Sequence, residues 1–175
     1  MPSSPSLPQD DLPNASRGKR FASMMYEGVL LFAVVFIADY LFDALTQSRH
    51  ALMLRLERQV ILFLAIGVYF MICWRAGGQT LPMKAWHIKL VNADLAKPST
   101  IQLVGRYMAS WIVPLIGMAL IHITVISTGL RAIYMFAVAA PFLIFIPTWF
   151  RRDGLFLHDA LCGTRIVDIR QTLDK

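Results

Sequence analysis

Charged residues are scarce in this chain of 175 residues, at 16% of the sequence, whereas soluble domains carry about 25%. Cysteine is also rare, and Cys73 and Cys162 are expected in different surroundings, so we predict no disulfide between them. Hydrophobic residues reach 57%, with 11 Phe, 4 Trp and 5 Tyr, which is atypical of disordered chains. The composition therefore excludes an ordinary soluble domain, and the length suits one domain.

Long stretches of the sequence lack any formal charge. There are 24 such residues between Arg106 and Arg131, 19 between Arg131 and Arg151, and 16 in the stretch 59–74. A helix needs roughly 20 apolar residues to cross a bilayer, and flanking arginines can extend a shorter stretch by snorkelling to the interface. An earlier stretch, residues 21–43, is apolar apart from Glu27 and a polar end at Asp39 and Asp43. We predict an all-α membrane protein with four transmembrane helices, at about 21–43, 58–76, 106–127 and 132–150.

The basic residues are unevenly distributed over the predicted loops and tails. With four spans, one side of the membrane collects 13 of the 17 Lys and Arg residues and the other collects 4. Cytoplasmic loops carry the excess of Lys and Arg, so both termini are predicted to be cytoplasmic. Membrane topology thus accounts for the basic charge, and we predict no nucleic-acid partner. The proline- and serine-containing residues 1–16 predict a flexible cytoplasmic leader, followed by one transmembrane domain over 17–175.

Glu27 is the clearest ionisable residue inside an apolar stretch. A charged side chain at the centre of a membrane helix costs about 2.5–3.5 kcal/mol on insertion scales. Six residues of helix place Glu27 about 9 Å below Phe21. Arg20 shares its helix stripe but points back toward the cytoplasm. We therefore expect Arg106, at the start of the third helix, to be the partner of Glu27.

Two short segments outside the predicted spans alternate apolar and polar side chains. Alternation of this kind is typical of a strand. It occurs over residues 86–91 and, less regularly, over residues 164–169. We predict that these segments pair as a small two-stranded cytoplasmic ribbon.

Three stretches of the sequence resemble motifs of the RDD family of small bacterial integral membrane proteins. The stretch Arg20-Phe-Ala-Ser-Met-Met-Tyr-Glu27 is similar to the family's opening Arg-x-x-Ala-x-x-x-Asp, with Glu in place of Asp. The stretch that begins Gly78-Gln-Thr-Leu-Pro-Met is similar to Gly-Gln-Thr-Leu-Gly-Met, with Pro82 where glycine is common. His158-Asp159-Ala-Leu-Cys-Gly-Thr164 is similar to the closing His-Asp-x-x-x-Gly-Thr.

The resemblance implies a multi-pass protein of the bacterial plasma (inner) membrane with a proposed role in transport. Some RDD proteins are reported to exchange monovalent cations for protons. On this interpretation Arg20, Glu27, Arg106 and Asp159 form an ion or proton pathway at the cytoplasmic side. In the alternative, the same four side chains form fixed polar contacts that hold the helices to the C-terminal tail. The protein is then a non-transporting accessory protein that binds lipid or a partner.

Several further residues are secondary candidates. His122 is predicted near the outer side, where it could join Asp39 and Asp43 in an outer mouth. A metal site of His158, Asp159 and Cys162 lacks the paired spacing of zinc motifs. The motifs GxxxxGK[ST], GxSxG and HExxH are absent from the sequence, so we predict no enzymatic activity, no cofactor and no metal. The expected partners are the lipid bilayer, monovalent cations and protons, and a second copy of the chain, since four short helices enclose little volume.

Overall fold

The computed structural model describes residues 12–46, 54–150 and 154–170, which form two compact units. The first unit comprises the described residues up to Lys97 together with those from Ile166 onward. The second unit comprises those between Pro98 and Arg165. The predicted single transmembrane domain stays a prediction.

Two long helices dominate the first unit. Helix α1 is Arg17–Thr46 and helix α2 is Arg55–Gly77, and the two pack against each other. Both run a few residues beyond the predicted spans, because charged side chains at a helix end can remain helical while reaching toward water. Large apolar side chains such as Phe32 and Phe36 are exposed on α1, as expected for a surface that faces lipid rather than water.

A glycine and a capped turn connect α2 to the short helix α3, Leu81–Ala85. Gly78 ends α2 with a φ of 70°, and its N–H donates to the carbonyl of Trp74 at 2.9 Å. Thr80 is the N-cap of α3, and its hydroxyl accepts a hydrogen bond from the N–H of Met83. Pro82 lies in the first turn of α3. Backbone N–H groups in the first turn have no intrahelical partner, so proline, which lacks an N–H, costs no hydrogen bond there.

The predicted ribbon is confirmed, but its first strand begins at Ile88 and not at residue 86, because His87 has a φ of 54°, which is not a strand conformation. Strand β1, Ile88–Asn92, pairs with strand β2, Thr164–Asp168, of which residues 166–168 belong to the first unit. Leu90 and Val167 are fully buried. Of the predicted leader, residues 1–11 lie outside the described residues, whereas Asn14 forms an antiparallel bridge with Val167. The ribbon and its neighbours, rather than the long helices, thus hold the apolar core of this unit.

The third predicted span, in the second unit, consists of two helices, α4 (Thr100–Ser110) and α5 (Ile112–Thr128). The helix begins six residues before the predicted residue 106, because Ser99 and Gln102 form a capping box that starts a helix there. The break at Trp111 follows from Pro114, which cannot donate an N–H to the carbonyl of Ser110 and crowds it. The structure therefore corrects the start and the continuity of this span.

The fourth predicted span, 132–150, differs in its type of helix. Residues Arg131–Phe145 form a 3₁₀ helix with Pro141 inside it, and α6, Ile146–Phe150, continues it. Pro141 cannot complete an α-helical hydrogen bond to the residue four positions earlier. This segment packs closely against α5, where the lack of a side chain at Gly117 leaves room for Leu143. A last short helix, α7, Leu157–Cys162, ends at Gly163 with a φ of 61°.

In the part of the chain that the structure describes, four helical stretches are long and apolar enough to cross a membrane. They cover Arg17–Thr46, Arg55–Gly77, Thr100–Thr128 and Arg131–Phe150. Only 6–11% of the most apolar window of each is buried within the protein. The prediction of four transmembrane helices is confirmed in number and position, with the corrections to helix ends and helix type given above.

Candidate functional site

Glu27 lies buried in α1, and a neutral hydroxyl group contacts each of its carboxylate oxygens. The hydroxyl of Tyr69, on α2, donates to Oε1 at 2.5 Å. The hydroxyl of Thr80 donates to Oε2, also at 2.5 Å. Among the described residues of the first unit, no lysine or arginine forms an ion pair with Glu27. This group of three residues, Glu27, Tyr69 and Thr80, is called the carboxylate site below.

The turn between α2 and α3 positions Thr80 in the carboxylate site. The positive φ of Gly78 ends α2, and a side chain at this position would place its Cβ only 2.8 Å from the carbonyl oxygen of Leu90. Two residues later, Thr80 has an extended backbone and is the N-cap of α3. Helices α2 and α3 both pack against α1. A glycine is therefore required for the chain to turn here and bring the Thr80 hydroxyl to Glu27.

Neither Tyr69 nor Thr80 was among the predicted site residues. Thr80 carried a detectable signal, because threonine is a preferred N-cap residue and Pro82, two positions later, is typical of the first turn of a helix. Tyr69 carried none, since an aromatic residue in an apolar helix is typical of packing. The expected pairing of Glu27 with Arg106 involves two separate units and stays a prediction.

In the second unit, Arg106 and Asp159 form a buried ion pair. Nη1 of Arg106 contacts Oδ1 of Asp159, whose side chain has no exposed surface. Thr164 connects the pair, since its hydroxyl donates to Oδ1 of Asp159 at 3.0 Å and accepts from Nη1 of Arg106 at 3.4 Å. The other oxygen, Oδ2 of Asp159, is buried and receives no hydrogen bond from the described residues.

The two ends of α7 explain the positions of Asp159 and Thr164. Asp159 lies in the first turn of α7, where the helix dipole stabilises a negative charge. Gly163 then takes a left-handed conformation, which turns the chain so that Thr164 follows directly. His158 stacks on Phe156, with ring centroids 5.2 Å apart, and its Nε2 lies 3.8 Å from Oδ1 of Asp159. The structure thus brings together three predicted residues, Arg106, His158 and Asp159.

The remaining predicted residues lie elsewhere. Arg20 is buried near the start of α1. Asp39 and Asp43 each accept a hydrogen bond from Arg58 at 2.5 Å. Nδ1 of His122 lies 2.7 Å from the hydroxyl of Tyr134 on the 3₁₀ helix. The predicted outer mouth of His122 with Asp39 and Asp43 stays a prediction.

The described residues contain no group of three or more His, Cys, Asp and Glu side chains arranged to hold a metal ion. The oxygen atoms gathered in the carboxylate site are those of the Glu27 carboxylate and of the Tyr69 and Thr80 hydroxyls. Such a site can accept a proton, or it can offer oxygen ligands to a hard cation.

The four apolar helical stretches and the buried carboxylates within this fold define a helical membrane protein. The sequence matches the RDD family over residues 14–163, and the chain belongs to this family. The resemblance seen in the three motifs is thereby confirmed. Comparisons with curated proteins and with solved structures gave no match.

Proposed function

We propose that this membrane protein exchanges monovalent cations for protons across the bacterial plasma membrane, and that Glu27 binds both ions. The supporting observation is the carboxylate site, in which a buried acid in a spanning helix meets only neutral hydroxyl donors within its own unit. An ionised carboxylate taken out of water is costly unless a proton or a cation compensates it. Glu27 is therefore a residue at which binding of one ion can replace binding of another.

The three side chains can serve either ion. With Glu27 ionised, the hydroxyls of Tyr69 and Thr80 donate to it. With Glu27 protonated, its own O–H donates, and one hydroxyl accepts instead, since a hydroxyl can do both. A monovalent cation would take carboxylate and hydroxyl oxygens as ligands once the hydroxyl hydrogens turn away. Proton and cation thus compete for the same oxygens, which is the requirement for exchange.

Asp159 is the second carboxylate of the proposal. Its Oδ1 is occupied by Arg106 and Thr164, so we assign binding of a proton or a cation to the buried Oδ2, which receives no hydrogen bond from the described residues. We assign Arg106 the role of holding Asp159 in place. The excess of Lys and Arg on one set of loops supports cytoplasmic termini and a cytoplasmic location for Asp159.

Proton flux into proteoliposomes tests the exchange. An outward gradient of a monovalent cation should drive proton uptake by the wild type, and Glu27→Gln should abolish it because an amide binds no proton at neutral pH. Glu57→Gln is the matched control, since Glu57 is exposed near the start of α2, and its flux should remain. The folded state of each variant is checked by gel filtration.

Two outcomes would contradict the proposal. Unchanged flux in Glu27→Gln would remove Glu27 from the mechanism. Absence of flux from folded wild-type protein, with each alkali cation in turn, would count against exchange and favour an accessory protein that does not transport.

A further inference from the structure

A small cavity of about 160 Å³ lies in the first unit, where the spanning helix α2 ends. Residues 76–78 of the helix end, residues 89–91 of β1 and residues 95–97 of the following turn form its walls. This cavity contains none of the residues of the carboxylate site. The proposed exchange reaction therefore does not use it.

The charged side chains that line the cavity are both basic. They are Lys89 and Lys97, and no acidic side chain among the described residues lines it. The C-terminal end of a helix contributes about −0.5 of an elementary charge, and two ammonium groups exceed this several-fold. Both lysines are exposed, and their combined positive charge outweighs that of the helix end, so the mouth of the cavity favours an anion.

The cavity is built by ordered contacts. The stem of Lys89 lies across Gly78, with its Cε 3.3 Å from the point where a Cβ of that glycine would be. On the other wall, the N–H of Ala96 donates to Oδ1 of Asn92 at 2.8 Å, and the N–H of Asn92 donates to the carbonyl of Ala96 at 3.0 Å. This closed turn holds Lys97, the next residue, at the rim.

The position at the end of a spanning helix identifies the depth of the cavity in the membrane. Residues that follow such a helix lie among the lipid headgroups. In the same unit the rings of Tyr26 and Trp86 lie 6.5 Å apart, and these two residue types are enriched at that depth. We propose that the cavity binds a phosphate group through Lys89 and Lys97, and that the headgroup of an anionic phospholipid supplies it.

Native mass spectrometry of the full chain, released from micelles that contain phosphatidylglycerol and phosphatidylcholine, tests the site. The wild type should retain phosphatidylglycerol in preference to phosphatidylcholine. The double variant Lys89→Gln/Lys97→Gln should lose about 30-fold in apparent affinity, since each basic residue near an anionic membrane surface contributes roughly fivefold. Lys84→Gln is the control, because Lys84 is exposed on α3 and lies outside the cavity.

Three outcomes would overturn the proposal. The first is equal retention of phosphatidylglycerol by the wild type and the double variant. The second is an equal loss in Lys84→Gln, which would indicate a diffuse basic surface. The third is displacement of the lipid by millimolar inorganic phosphate together with calorimetric binding of that phosphate, which would assign the cavity to a free anion. Because no step measures flux, these results are independent of the exchange activity.

Discussion

The hydroxyl of Tyr69 donates a hydrogen bond of 2.5 Å to Glu27, 42 positions away in the sequence, and thereby connects α2 to α1. Thr80 supplies the second donor from outside the long helices. The acid on α1 is thus bound by side chains from two other parts of the first unit, α2 and the start of α3. The stability of the helix pair and the chemistry of the acid therefore depend on the same contacts.

Removal of the Tyr69 hydroxyl should weaken the packing of α1 and α2. We expect Tyr69→Phe to lower the free energy of unfolding by about 1 kcal/mol, the size typical of hydrogen bonds between membrane helices. Unfolding in mixed micelles, followed by circular dichroism, measures the change. Tyr40→Phe is the control because Tyr40 is exposed on α1, and an equal loss in both variants would contradict the role of Tyr69.

Loss of the Asp159 charge should be more damaging. Asp159→Asn leaves Arg106 buried without its carboxylate, and breaking a buried ion pair by removing one partner costs about 3–5 kcal/mol. The same unfolding assay measures this change. Asp94→Asn, at an exposed position after β1, should stay within about 0.5 kcal/mol of the wild type. A loss below 1 kcal/mol in Asp159→Asn would show that the pair contributes little.

The two glycines that end α2 and α5 allow a matched comparison. Both Gly78 and Gly129 have a φ of 70°, but a Cβ would meet the backbone of Leu90 at Gly78 and nothing within 4 Å at Gly129. Gly129→Ala should cost about 1–2 kcal/mol, which is the penalty for the left-handed conformation. Gly78→Ala should cost more and should reduce proton flux by displacing Thr80. Equal destabilisation of the two variants would contradict the close contact.

Acid should weaken the contact between α1 and β2. Burial raises the pKa of Asp168, but the hydrogen bond from Lys19, the N–H of Arg170 and the charges of both residues outweigh it, so the pKa lies below the ordinary 3.8. A lowered pKa means that ionised Asp168 stabilises the folded state above pH 3.8 and that this contribution is lost as the pH falls through the folded pKa.

Unfolding measured against pH checks this expectation. The difference in unfolding free energy between the wild type and Asp168→Asn should be constant above about pH 5 and should shrink below pH 3.8. Lys19→Gln should reduce the same difference. A difference that grows on acidification would show that the pKa of Asp168 is raised instead.

The spans and the ribbon were predictable because each depends on local pattern. Some 20 apolar residues make a helix that can cross a bilayer whatever its neighbours are, and a period of two residues defines a strand with one buried face. The start at Thr100 also has a sequence signal, since Ser99 and Gln102 form a capping box, whereas the limit of the uncharged stretch predicts a start at Arg106. The 3₁₀ geometry of Arg131–Phe145 was not predictable, because its composition is that of any apolar helix.

The sequence by itself determined that this chain is a membrane protein and approximately where its four apolar helices lie, and it predicted Glu27 and Asp159 as candidate site residues. Free energies of transfer depend on residue type and so can be read from composition and spacing. Only the tertiary structure decided that Tyr69 and Thr80 are the partners of Glu27 and that Thr164 joins Arg106 to Asp159. A hydrogen bond tolerates a change of only a few tenths of an ångström in its donor–acceptor distance, and only folding brings side chains that are far apart in sequence to within that tolerance.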